Sequence, residues 1–174
     1  MTAIVTCTEL LQLRDSKKEA VYALLDGASR ENAFGLVFSL NGVEDYKPLF
    51  HGTRYASIME HGPILVRVRP DGQFFRWFFA EGPACHAGGC FFSAAPLADL
   101  HVQFQDFLEA GMPDGRKALF RFYDPRITKR AITLMPEADR EKFLKGITAY
   151  FVSRQTPNGR AYWIDLLTAG EDHG

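Results

Sequence analysis

Apolar positions in this chain come in short runs that switch between helical spacing and the compact blocks of buried strands, with turn residues between them. "TELLQLRDSKKEA" predicts a helix with Thr8 as N-cap and with Leu10, Leu13 and the stem of Lys17 on its spacing. "VYALLDGA" reads as a buried strand that stops at the turn pair Asp26-Gly27. "SRENAFGLVFSLNG" returns to helical spacing, with Ala33, Leu36, Val37 and Leu40 on one side and Gly42 placed to end it. "YKPLF" is a short extended piece, "TRYASIMEHG" a short helix, and "PILVRV" another buried strand.

Downstream, "PDGQFFRWFFAEG" predicts a turn leading into an aromatic helix, and "GGCFFSA" a strand flanked by glycines. "PLADLHVQFQDFLEAG" is the clearest helix of the chain, with Pro96 where its first turn begins. "KALFRFYD" predicts a strand, and "PRITKRAITLM" and "PEADREKFLKG" two helices. "TAYFVSR" and "RAYWIDLL" form a β-hairpin around the breaker-rich "QTPNG", and "AGEDHG" an acidic tail. Strands that alternate with helices imply an α/β layer architecture: one domain over 1–174, a mixed central sheet, flanking helices and a C-terminal hairpin with its tail over 148–174. The strands around Leu24, Leu65, Phe92 and Phe122 are expected in one sheet.

The length of 174 residues suits a single domain with a substantial core, and 47% hydrophobic with 24% charged residues is ordinary for a globular chain. Fifteen phenylalanines are a surplus that either thickens a core or supplies an adhesive surface. A net charge of -1 argues against general nucleic-acid binding. No apolar run approaches the ~20 residues that cross a bilayer. The N-terminus lacks the basic and apolar regions of a secretory signal. Three irregularly spaced cysteines, Cys7, Cys85 and Cys90, make a poor disulfide framework, so a reduced cytoplasmic compartment is expected.

Candidate chemistry is sparse. "CHAGGC" gathers Cys85, His86 and Cys90, but zinc needs four ligands and no second Cys/His cluster exists, so neither metal nor cofactor is expected. His101 falls with Leu97, Phe104 and Leu108 on the apolar side of its helix, which suits a hydrogen-bonded core histidine better than a catalytic base. No nucleophile elbow, metalloprotease motif or phosphate loop is present.

"LFRFYDPRI" is the stretch richest in functional side chains. As a strand it puts Leu119, Arg121 and Tyr123 on one face and Phe120 and Phe122 on the other. Asp124 then caps the next helix, with Pro125 at its first position. Arg121, inside an apolar strand, requires a carboxylate, and Asp26 at the end of "YALLD" is the best candidate. Six basic residues crowd the segment from Asp114 to Arg130, after a helix that carries Asp99, Asp106 and Glu109 but no lysine or arginine. Pairing between the two segments is the simplest reading. In the helix opened by Pro125, Arg126, Lys129 and Arg130 are expected outward, with Ile127, Ala131 and Leu134 toward the core.

"YALLDGA", "YKPLFHGT", "GPILVRV", "FFSAAPLADLHVQF", "MPDGRKALFRFYDPRI" and "LMPEADREKFLKGI" occur in an order that resembles the type VI secretion effector-chaperone or adaptor (Tap/Tec) domain, over 21–147. That resemblance implies a bacterial cytoplasmic protein that is not an enzyme, binds a toxic effector and helps load it onto the trimeric VgrG spike. The family's motif falls here on Asp26, Leu49, Phe50, Gly62, Pro63, Trp77, His101, Pro113 to Gly115, and Arg121 to Arg126. Arg121, Tyr123, Arg126, Lys129, Arg130 and Trp77 are the candidate partner-binding residues; Asp26, His101, Asp124 and Pro125 are the candidate structural ones. Where the family usually reads His-Leu-Arg, this chain has His101-Val102-Gln103, so a positive charge is missing. Many relatives also carry an additional C-terminal region, so specificity is expected to reside on the core domain here. The alternative is a small-ligand or hydrolytic α/β domain built on Arg121, Asp124 and His101.

Overall fold

The structure, a computed structural model, describes residues 4–5, 8–10, 12, 19–159 and 161–167. A seven-stranded sheet runs in the order β1 (Ile4–Val5), β9 (Ala161–Asp165), β8 (Ile147–Gln155), β5 (Gly88–Ser93), β2 (Ala20–Asp26), β4 (Pro63–Val68) and β3 (Val43–Pro48). The α/β single-domain expectation and its C-terminal hairpin hold, and one detail is corrected. Every described pairing is antiparallel where a mixed sheet was expected, since no connection returns a strand beside a neighbour of the same direction.

Both faces of the sheet are covered, which explains why the central strands read as unbroken apolar runs. On one face Tyr22, Leu24, Leu65, Phe91, Tyr150 and Val152 meet three helices: α3 (Leu97–Gln105), α4 (Pro125–Leu134) and α5 (Glu137–Phe143). On the other, Ala23, Ile64, Val66, Phe92 and Phe151 meet α1 (Ala33–Ser39) and α2 (Gln73–Ala80). The phenylalanine surplus lies largely in these two layers, as in the cluster of Phe104, Phe122 and Phe143. Gly88 opens β5 at φ 142, with Leu24 O where a Cβ would sit, so any side chain there would push β5 off β2.

Several expected elements change. The helix expected from Thr8 is seen at 8–10 and at 12, with Leu10 buried; Leu13 and Lys17 lie outside the described residues, as does the acidic tail. The helix expected after Thr53 is a 3₁₀ segment, Ala56–His61, kinked at Ile58. α3 stops near Asp106 because Phe107 and Leu108 are both drawn into the core, and Glu109–Gly111 becomes β6.

The strand expected over "KALFRFYD" is the main correction. Only Lys117–Leu119 is strand, β7, and it pairs with β6 in a separate two-stranded sheet. Phe122 is therefore absent from the main sheet. From Arg121 the chain turns: Asp124 N donates to Arg121 O at 3.1 Å, and the Thr128 hydroxyl lies 2.8 Å from both Phe122 O and Asp124 O. These local bonds satisfy the backbone without a neighbouring strand. Phe122, Tyr123, Asp124 and Pro125 are consecutively buried, a pattern that a two-residue alternation cannot produce.

Candidate interaction surface

Asp26 ends the central strand β2, where it is 2% exposed. Its Oδ1 accepts from Ala28 N at 3.0 Å and its Oδ2 from the Arg121 guanidinium at 2.5 Å. Burial raises the Asp26 carboxyl above its ordinary pKa, outweighing the downward pull of the Ala28 amide and of Arg121. The Arg121 side chain keeps 40% exposure, so the pair joins a dry anion to a half-wet cation.

Asp124 caps α4, accepting from Arg126 N at 3.0 Å, with Pro125 at the first helical position. The same carboxylate takes Arg126 bidentately, Nε to Oδ1 at 2.9 Å and a terminal nitrogen to Oδ2 at 2.7 Å. Burial acts to raise the Asp124 carboxyl, but the Arg126 side chain and amide outweigh it and leave the pKa below its ordinary value. Arg121 also stands 3.9 Å from Asp124. Positive and negative groups thus alternate from the end of β2 to the start of α4. Arg154 on β8 adds a hydrogen bond to Pro125 O.

This network fixes the rotation of α4. Its buried positions are Pro125, Thr128, Ala131 and Ile132. The expectation that Ile127 and Leu134 face the core is corrected: they are 40% and 69% exposed, because the Thr128 hydroxyl must reach the turn and carries the inward face with it. Ile127, Arg130 and Leu134, at i, i+3 and i+7, form an outward stripe, with Lys129 on the far flank of the same exposed side. Among the described residues, neither Lys129 nor Arg130 has an ion-pair partner. Pairing between the acidic and basic segments occurs elsewhere, as Lys117 with Glu109 at 3.7 Å.

The other candidate residues divide clearly. Arg126 is exposed but committed to Asp124, so it is not a free rim charge. Tyr123 is 2% exposed with Arg121 5.7 Å over its ring, and burial followed by the Asp26 charge pushes its hydroxyl up to about 12. Its place is the core, which withdraws it from the surface set. Trp77 is half-buried on α2, with Arg30 5.8 Å over its ring and its indole N–H buried without a described partner. His101 Nε2 lies 3.0 Å from Pro48 O and ties α3 to β3; burial, helped by Lys47 and His51, lowers its pKa despite that carbonyl.

Gln103 donates to Phe143 O at 2.8 Å and Lys145 O at 3.1 Å. It closes the C-terminal end of α5, a role that its spacing alone gave no means of finding.

Arg121, Asp124 and His101 line neither of two surface cavities, of about 390 and 350 Å³, that open among the described residues. Among the described residues, no group of three or more His, Cys, Asp or Glu is arranged to hold a metal, and no helix is long and apolar enough to cross a membrane.

Comparison with protein families matches residues 21–142, well over half of the chain, to DUF4123, a domain of unknown function. The chain belongs to the DUF4123 family. Searches among curated proteins and among solved structures return no match. The DUF4123 segment holds the whole network from Asp26 to Arg126 and the α4 stripe. One part that supports them comes from beyond it: β8, which pairs with β5 in the middle of the sheet and carries Arg154.

Proposed function

We propose that this DUF4123 protein is a type VI secretion effector chaperone or adaptor that binds a toxic effector and promotes its loading onto the VgrG spike. In this reading it works in the bacterial cytoplasm, performs no catalysis and needs no cofactor. The observation that carries the proposal is the outward side of α4, where Ile127 and Leu134 flank Arg130 and Lys129 stands on the far edge, both cations without an ion-pair partner among the described residues. A monomer gains nothing by holding two large aliphatic side chains in water next to uncompensated charge, whereas a partner surface desolvates the first and neutralises the second.

The network from Asp26 to Arg126 supports the same reading by holding α4 in one orientation, so that the stripe is presented as a rigid surface. The choice of effector and spike as partners rests on the resemblance of the six motifs to the chaperone or adaptor domain, with which DUF4123 membership is compatible. Co-purification of the tagged protein with products of neighbouring genes tests the proposal. A stoichiometric complex with an encoded toxin, recovered also with the spike, is the expected result. Recovery of the protein alone when toxin and spike are co-expressed overturns it.

A further inference from the structure

On the opposite face of the sheet from α4, α1 carries a second exposed feature. Phe38 is 58% exposed, the largest exposure of any described aromatic side chain. Its ring lies 5.3 Å from Phe34, one turn earlier, and 5.1 Å from Tyr46 on the edge strand β3, which it meets edge to face at 83°. Phe34 also forms a wall of the 350 Å³ cavity, whose rim includes Glu31 and Glu60. Shelf and cavity are therefore continuous.

The edge of β3 is itself closed to strand addition. Tyr46 N donates to the Asp45 carboxylate at 2.8 Å, and Pro48 has no N–H to offer. Docking here must use side chains. The rim of the cavity is acidic: among the described residues Glu31 has no ion-pair partner and Glu60 has only His61, at 3.7 Å. Arg30, the one strong cation of the cavity, is engaged over the Trp77 ring.

We propose that this shelf and its cavity hold a partner segment carrying an arginine or lysine next to an apolar side chain. The apolar side chain lies on Phe38 and Tyr46, while the cation runs its stem along the Phe34 ring and ends between Glu31 and Glu60. Charge complementarity selects a basic segment here, whereas the α4 stripe with Lys129 and Arg130 selects an acidic one. The two surfaces lie on opposite faces of the sheet, Val37 of α1 packing on one and Ala131 and Ile132 of α4 on the other, so both can be filled at once. This goes beyond the effector reading and does not depend on it.

The test is backbone amide NMR of the full chain titrated with a short peptide alternating leucine and arginine, and with a control carrying glutamate for each arginine. Saturable shifts confined to α1, Tyr46 and the surroundings of Glu60 are expected with the basic peptide and absent with the acidic one. Phe38→Asp, at an exposed site, should abolish them with an unchanged melting curve. Glu31→Gln with Glu60→Gln, which leaves the packing intact, should weaken binding about fivefold. No saturable shift, an equal response to the acidic peptide, or shifts centred on α4 would each overturn the proposal. Effector capture is read separately by co-purification, so the failure of one reading leaves the other standing.

Discussion

Arg121 and Asp26, 95 positions apart in the chain, meet at 2.5 Å, with the aspartate buried and the arginine half in water. Their contact joins the end of the central strand to the turn that launches α4. Arg121→Ala leaves the Asp26 carboxylate dry and short of its guanidinium. The expected loss is about 1–3 kcal/mol, less than for a fully buried pair because solvent reaches the arginine. Denaturant unfolding measures it, and the Asp26→Asn, Arg121→Ala double variant should lose less than the sum of the single changes. Strict additivity would show that the two residues act independently.

The two aspartates of the network drive stability in opposite directions with pH. Asp124 has a lowered pKa in the folded state, so its contribution is present above the unfolded value of 3.8 and is lost as pH falls through the folded one. Asp26 has a raised pKa, so its contribution is present below 3.8 and is lost as pH rises through the folded value. Asp124→Asn should therefore flatten the acid loss of stability, at the cost of ~1 kcal/mol of capping at neutral pH. Asp26→Asn should steepen the net acid loss. Unfolding curves from acid to neutral pH check both signs.

Tyr150 lies within the core with its hydroxyl buried and without a hydrogen-bond partner among the described residues, and burial raises its pKa. Removing that oxygen relieves a desolvated polar group while keeping the ring stacked on Phe91 at 5.6 Å. Tyr150→Phe should leave stability unchanged or raise it by ~1 kcal/mol. A clear drop in the unfolding midpoint would reveal that the hydroxyl has a partner in solution.

The α4 stripe predicts a division between charge and fold. Lys129→Glu with Arg130→Glu changes two exposed residues that have no described ion pair, so the melting temperature should stay within a degree or two, as for ordinary surface substitutions. If α4 holds the proposed effector, its capture should slow by about tenfold at low salt and less at high salt. Leu134→Ser should weaken capture at every salt concentration. Normal capture and delivery by all three changes together would make α4 a solvated helix and place the effector site elsewhere. Arg126 is left out because reversing it would strand the buried Asp124 carboxylate.

Much of the scaffold is legible from local chemistry. Buried strands such as "YALLD" and "PILVRV" announce themselves as apolar runs, the Asp124-Pro125 cap follows from the stereochemistry of a helix start, and "QTPNG" marks the hairpin. Even the Arg121–Asp26 pair is foreseeable, since a cation among apolar residues demands an anion. These features depend on what each residue requires of its immediate surroundings.

Tertiary structure alone decided where the aromatic run after Leu119 went and which side of α4 met the core. In both cases the chain had two acceptable local solutions. "LFRFYD" satisfies a strand pattern as well as a turn, and Ile127 and Leu134 are as apolar as Ala131 and Ile132. Hydrogen bonds between distant or unlike partners broke each tie: Arg121 to Asp26, the Thr128 hydroxyl to Phe122 O, and Arg154 to Pro125 O. The half-buried Phe34 and the exposed Phe38, four residues apart on α1, left a trace in the helical spacing. Its meeting with Tyr46 did not, because that contact arises only when β3 takes the edge of the sheet.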